Sequence, residues 1–290
     1  MKKSMRHVTG LSLMVALLVP SFVGCPESAA KNFPQQTTRP ADTVLRVLKA
    51  VDSDTQSQIR TAEEALTRMG NSALPELKAS LTGATENQQM ALSSAIFRLE
   101  NGFDPREAIA GHVNEVTGSA SGKIAAPEQL SCVADASLRS VFPSHVFYTL
   151  KLASDATVPP PLAPVNLFAV GKDRRVELIT SKGELQEWFG KTLGGAQSEE
   201  RAMGIVRAWL RLAQELSYAG RFRFAVPDGA IKVYRYPAGM KASGKAVLNY
   251  PNGREGEIAA TLTFDESGHL ARVQEAALVE PSGAAQGARK

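Results

Sequence analysis

The spacing of apolar residues along the chain changes more than once, and each change predicts a different element. From 42 to 117 the period is close to that of a helix. Ile59, Ala62, Leu66 and Met69 fall on one helical face, Gly70 closes that helix, and Leu74, Leu77 and Leu81 form the stripe of a second that opens near Pro75 and ends at Gly83. A leading helix is expected over 43–51. From His145 the period drops to two: Val146, Tyr148, Leu150 and Leu152 alternate with His145, Phe147, Thr149 and Lys151, the pattern of a strand. Strands at 165–170 and 175–180 flank the hairpin signal Gly171-Lys172-Asp173-Arg174. Helical spacing returns over 184–193 and 198–217. The second of these carries a broad apolar face of Ala202, Ile205, Val206, Trp209, Leu212, Ala213 and Leu216, with Glu199 and Glu200 in its first turn, where they complement the helix dipole. Short alternating runs then follow at 222–226, 231–233, 246–250, 258–264 and 270–277. Turn residues such as Pro227-Asp228-Gly229 and Pro251-Asn252-Gly253 separate them.

The fold class these elements predict is α + β in two parts: N-terminal α-helical hairpins, then a C-terminal α+β domain whose antiparallel β-meander packs on the long helix bearing Trp209. The expected divisions are a signal peptide at 1–24, a flexible tether at 25–40, a helical domain at 41–117, a linker at 118–137, the α+β domain at 138–280 and a disordered tail at 281–290. The linker is expected where Gly118-Ser119-Ala120-Ser121-Gly122 begins a small, polar and aperiodic stretch, and 158–164, with Pro159-Pro160-Pro161, is expected as a stiff connector.

The helical half repeats. Shifted by thirty residues, Ala65, Leu66, Arg68, Met69, Asn71 and Pro75 superpose on Ala95, Ile96, Arg98, Leu99, Asn101 and Pro105. The string from Ala65 through Gly70 to Pro75 and Leu77 resembles the HEAT-repeat signature, in which small residues let paired helices pack and the Gly-to-Pro stretch forms the turn. The second copy departs at Asp104, which stands where the first has Leu74. The resemblance implies a compact stack of two helical pairs that presents a surface to a protein partner. At the level of architecture, the long helix followed by a meander resembles the cystatin and NTF2-like class, a likeness that carries no function.

The first residues point to export. Lys2, Lys3 and Arg6 precede an apolar run at 8–19, too short to cross ~30 Å of hydrocarbon but suited to a signal peptide. Phe22-Val23-Gly24-Cys25 then resembles the lipobox of bacterial lipoproteins. That resemblance implies cleavage after Gly24 and a lipid on the Cys25 thiol, anchoring the protein to the cell membrane or outer membrane. Cleavage after Ser28-Ala29-Ala30 to give a soluble secreted protein, or retention as an uncleaved anchor, are the alternatives. Lys2, Lys3 and Arg6 are three of 33 cationic residues set against 29 acidic ones, so the remaining chain is nearly neutral and nucleic acid is not an expected partner. With Cys25 acylated, Cys132 has no disulfide partner and is expected as a small buried residue.

Candidate chemistry is sparse. His112, His145 and His269 share no metal-ligand spacing, so no metal or other cofactor is expected. Gly194-Gly195 precedes a helix but lacks a following Lys-Ser/Thr pair, and Glu199 and Glu200 would repel a phosphate. Adjacent carboxylates such as Glu63-Glu64 diverge on a helix, and no nucleophile motif is present. The remaining candidates are basic: Arg207 and Arg211, four apart on the long helix, and Arg221 and Arg223, on one strand face, which could grip an acidic ligand or form a solvated outer face. The expected function is a non-enzymatic, lipid-anchored protein-binding or scaffolding protein of the cell envelope. The alternative is a small-ligand pocket or hydrolytic site between the Trp209 helix and the sheet.

Overall fold

Capping chemistry sets most of the helix boundaries. The computed structural model describes residues 40–51, 55–118, 125–152, 158–218, 222–251 and 253–279. Helix α1 (Pro40–Lys49) leads into α2 (Gln56–Arg68) and the short α3 (Leu74–Ala79), which carries Pro75 in its first turn. Helix α4 (Glu86–Asn101) opens on a reciprocal cap: the Gln88 backbone N–H donates to the Thr85 hydroxyl, and the Thr85 N–H donates to the Gln88 side chain. It ends at Gly102, whose φ of 70° is the left-handed turn that glycine adopts without strain. Helix α5 (Pro105–Val116) is capped by Asp104, which accepts from the Arg106 backbone N–H. The residue that breaks the sequence repeat therefore starts a helix.

The first antiparallel sheet has the order β1 (Ser131–Val133), β2 (His145–Lys151), β3 (Val165–Gly171), β4 (Val176–Ile179), with α6 (Ala136–Val141) between β1 and β2. Helices α7 (Lys182–Thr192) and α8 (Glu199–Ser217) follow, each opened by a serine, Ser181 or Ser198, that accepts a backbone N–H. The second sheet contains β5 (Arg223–Ala225), β6 (Lys232–Tyr236), β7 (Gly239–Asn249), β8 (Glu255–Phe264) and β9 (Leu270–Val279). Among the described residues no helix is long and apolar enough to cross a membrane.

Packing follows from the two faces of the first sheet. Val146, Tyr148 and Leu150 of β2 pack with Phe97 of α4 and Ile109 and Val113 of α5. On the opposite face, Phe147 and Leu167 join Phe189 of α7, Trp209 of α8 and Leu262 and Phe264 of β8. Helices α1 to α4 hold a further core of Leu48, Leu66, Leu77, Leu92 and Ile96. Helix α8 is thus buried on every side from Ala208 to Glu215. It approaches β7 closely at Gly244, where a Cβ would lie 2.6 Å from the Val206 side chain.

Three details differ from the sequence reading. The described residues all belong to one compact unit, 38–290, and the helical part is joined to the first sheet by buried polar contacts. Glu63 of α2 is fully buried, with both carboxylate oxygens taken by Arg106 of α5 and one also bonded by Arg98 at 3.1 Å. Arg106 lies over the Tyr148 ring, and the Tyr148 hydroxyl meets Ser94 of α4 at 2.5 Å. Of the stretch 118–137, expected as a linker, the described residues 125–137 supply β1 and the start of α6, with Leu130 and Cys132 buried. Finally, the second sheet is not a simple meander. β5 and β6 both pair with β7, at Val247 to Asn249 and Gly239 to Ser243 respectively, so they lie end to end along one side of it. The interposed Pro227-Asp228-Gly229 carries the chain along β7 rather than folding it back as a hairpin.

Candidate functional site

A cleft of about 780 Å³ opens where α2, α4, the first sheet, α8 and the second sheet meet. Its volume falls in the range usual for small-molecule sites, which runs from ~300 to 1,000 Å³. Ile59 of α2, Met90 of α4 and Tyr250, just past β7, give it apolar surface. Its charged wall comes from Arg211 and Glu215 of α8, Lys151 at the end of β2, Glu86 in the first turn of α4 and Arg223 of β5.

The wall is tightly arranged. Arg211 Nη2 donates to Glu86 Oε1 at 2.7 Å and lies 2.9 Å from Glu215 Oε1, while Lys151 Nζ is 3.0 Å from Glu215 Oε2. The guanidinium sits 5.1 Å from the ring centroid of Phe222 and 5.5 Å from that of Phe224, and Lys151 Nζ is 5.6 Å from the Phe222 ring. Only 4% of the Arg211 side chain is exposed. Its other two nitrogens, Nε and Nη1, are buried and have no hydrogen-bond acceptor among the described residues. An unmet buried donor costs about 1–3 kcal/mol, more when charged, and is uncommon in a settled core. Partial burial pushes the Glu86 carboxyl above its ordinary pKa, against the pull of Arg211. For Arg211, burial disfavours the charge, but Glu215 and Glu86 outweigh it and raise the pKa, so the guanidinium stays ionised.

The candidate arginines separate. Arg211 and Arg223 share the cleft. Arg207, one turn earlier on α8, faces elsewhere and donates through Nε to both oxygens of Asp135 at 3.1 Å, the residue that caps α6. Arg221, like Gly24 and Cys25, lies outside the described residues. Sequence reasoning missed Glu86, Glu215 and Lys151. The Arg211 and Glu215 pair, four apart in an apolar helix, was a visible signal; Glu86 and Lys151 reach the site only through tertiary packing.

The space expected as a pocket, between the Trp209 helix and the sheet, is filled. Trp209, Leu262 and Phe264 are almost completely buried there, and the Trp209 indole N–H donates to Glu275 at 2.6 Å. The histidines do not converge. His145 stacks edge-on against Trp188 at 5.3 Å, and its burial lowers its pKa despite Glu177 and Asp173 nearby; His269 lies beside Asp265 in a turn; His112 is on α5. Among the described residues no group of His, Cys, Asp and Glu side chains is placed to hold a metal. Gly195 packs its backbone against Ser267 and Gly268, and the Gly268 carbonyl accepts from Ala196 N–H at 2.7 Å, so this glycine pair serves the chain's own packing. Cys132 borders the cleft yet is only 2% exposed, and burial pushes its thiol pKa up to about 12.

What the fold and site define is thus a mixed α+β protein with a polar-walled cleft around a buried arginine. Comparison with protein-family models, curated proteins and solved structures found no match to this chain.

Proposed function

We propose that this chain is an exported, lipid-anchored binding protein of the cell envelope whose cleft holds a small molecule. The observation that carries the reading is Arg211: a buried guanidinium at a cleft wall, with two nitrogens that no group among the described residues satisfies. Export and anchorage rest on the charged, apolar and Gly24-Cys25 pattern of the first residues, with cleavage after Gly24 and the lipid on Cys25. The helices α2 with α3 and α4 with α5 are read as a pair of HEAT-like units. A small-molecule seat is preferred over a protein-docking role for these units because α4 spends its apolar residues inward: Leu92 and Ile96 on the helical core, Phe97 on the first sheet. Little of that helix is left to receive a partner.

A thermal-shift screen of residues 25–290 against a chemically varied set of small molecules tests this reading. Asn87→Trp, on the cleft wall, is the blocked control. Compounds that raise the melting temperature of the wild type and leave the blocked variant unmoved support it; compounds that shift both proteins alike place binding elsewhere.

A further inference from the structure

The cleft has a chemical polarity that narrows its ligand. Three of its lining side chains are cationic, Lys151, Arg211 and Arg223, against two acidic ones, Glu86 and Glu215. Both acidic groups are engaged with cations already: Glu215 with Lys151 and Arg211, Glu86 with Arg211. All of this pairing reaches Arg211 through Nη2, which leaves Nε and Nη1 in need of acceptors. Lys151 and Arg211 approach the same ring, Phe222, which is itself part of the cleft lining, so the positive end of the cleft is gathered around one aromatic side chain. At the other walls Ile59, Met90 and Tyr250 offer apolar surface.

We infer that the cleft takes a small organic carboxylate with an apolar body, the acid seated at Arg211 with Lys151 and Arg223 beside it and the body lying on Ile59, Met90 and Tyr250. A carboxylate supplies two acceptor oxygens for the two unmet Arg211 nitrogens, and its negative charge suits a wall that carries Lys151, Arg211 and Arg223. In a partly dry site such charge-assisted hydrogen bonds are about twice as strong as neutral ones. The Phe222 ring lies against the guanidinium, 5.1 Å from its carbon to the ring centroid, so the ring turns aside as the acid enters, exchanging a cation–π contact for hydrogen bonds. The inference rests on the cleft being the ligand seat proposed above, and it adds the ligand's class.

Matched pairs of probes test it: 1-naphthaleneacetate against 1-naphthaleneacetamide, and decanoate against decanamide, titrated at pH 7 into residues 25–290 by calorimetry. Each pair keeps the body and removes only the charge. At least one acid is expected to bind ten or more times tighter than its amide. Arg211→Met is expected to erase that preference, and Arg223→Gln, at an exposed strand position, to reduce it several-fold. Phe222→Leu is expected to speed association of the acid in stopped-flow. Equal binding of acid and amide by the wild type overturns the carboxylate assignment while leaving the cleft as a ligand seat. Silence from both pairs also overturns it, and if the broad screen is silent as well, the cleft reading falls with it.

Discussion

Arg211 and Glu215, one turn apart on α8, meet at 2.9 Å with only 4% and 8% of their side chains exposed. Such a pair is costly to break from one side, because the survivor is left charged in a poorly solvated site; the cost runs to about 3–5 kcal/mol. Glu215→Gln is therefore expected to destabilise the protein by roughly that amount in urea unfolding, since it strips Lys151 as well as Arg211 of a partner. In a double-mutant cycle with Arg211→Met the losses will not add, the double variant being more stable than the sum predicts. Additivity within about 0.5 kcal/mol would show that the two do not act as a pair.

The second buried ion cluster joins the helices to the first sheet. Glu63→Gln leaves Arg106 and Arg98 facing a neutral amide, and Arg106 has just 5% of its side chain exposed. Equilibrium unfolding is expected to show a loss of about 3 kcal/mol or more, against less than about 1 kcal/mol for Arg60→Gln, whose partners Glu64 and Glu128 are solvated. Similar losses in both would deny the Glu63 cluster its structural role.

Cys132 gives a pH dependence of definite sign. Burial holds its thiol protonated up to about pH 12, whereas the unfolded chain ionises near the ordinary value of 9.0. Between these limits the unfolded state binds fewer protons than the folded one, so stability falls as pH rises, by up to about 1.4 kcal/mol per pH unit, and below that window the group contributes nothing. Tyr148, also pushed up by burial, steepens the decline at higher pH, so the comparison must be between the wild type and Cys132→Ala. The variant is expected to lose the Cys132 part of the slope above pH 9. A thiol reagent at pH 8 should also leave Cys132 of the folded protein unlabelled; rapid labelling at that residue would contradict the buried assignment.

The proposed anchorage has its own test. Intact mass of protein extracted from membranes is expected to show residues 25–290 carrying a lipid on Cys25, and Cys25→Ala is expected to leave the precursor uncut at Gly24. A wild-type mass without lipid, beginning after Ala30, would replace anchorage with secretion.

How far the fold was legible depended on which surfaces face water. β7 alternates between buried and exposed residues because one face of the second sheet is solvated, and that alternation was legible from Ala246 onward, while Gly239 to Lys245, with two glycines and only Met240, Ala242 and the small Gly244 turned inward, was not read as strand. β3 is buried at every position from Val165 to Gly171, since α5 and α8 cover opposite faces of its sheet, and there the hairpin turn marks the strand better than any alternation does. β1 and α6 were hidden for another reason: three and six residues are too short to establish a period, and their signals, Asp135 capping α6 and the buried Cys132, are tertiary or single-residue features. The basic residues of α8 were noticed, but their fates were not separable. Arg207 and Arg211 have the same spacing pattern; only the positions of Asp135 and Glu86, far away in sequence, send one to a cap and the other to a cleft.

The central claim is that the cleft around Arg211 is where this protein holds its ligand. Hydrogen–deuterium exchange on residues 25–290, with and without the tightest compound from the screen, measures that most directly. Protection is predicted at the start of α4 near Glu86, at the end of β2 near Lys151, along α8 at Arg211 to Glu215 and at Phe222 to Arg223, with β8 and β9 unchanged. Protection confined to β6, β9 or the outer face of α5, with these segments unchanged, would contradict the account.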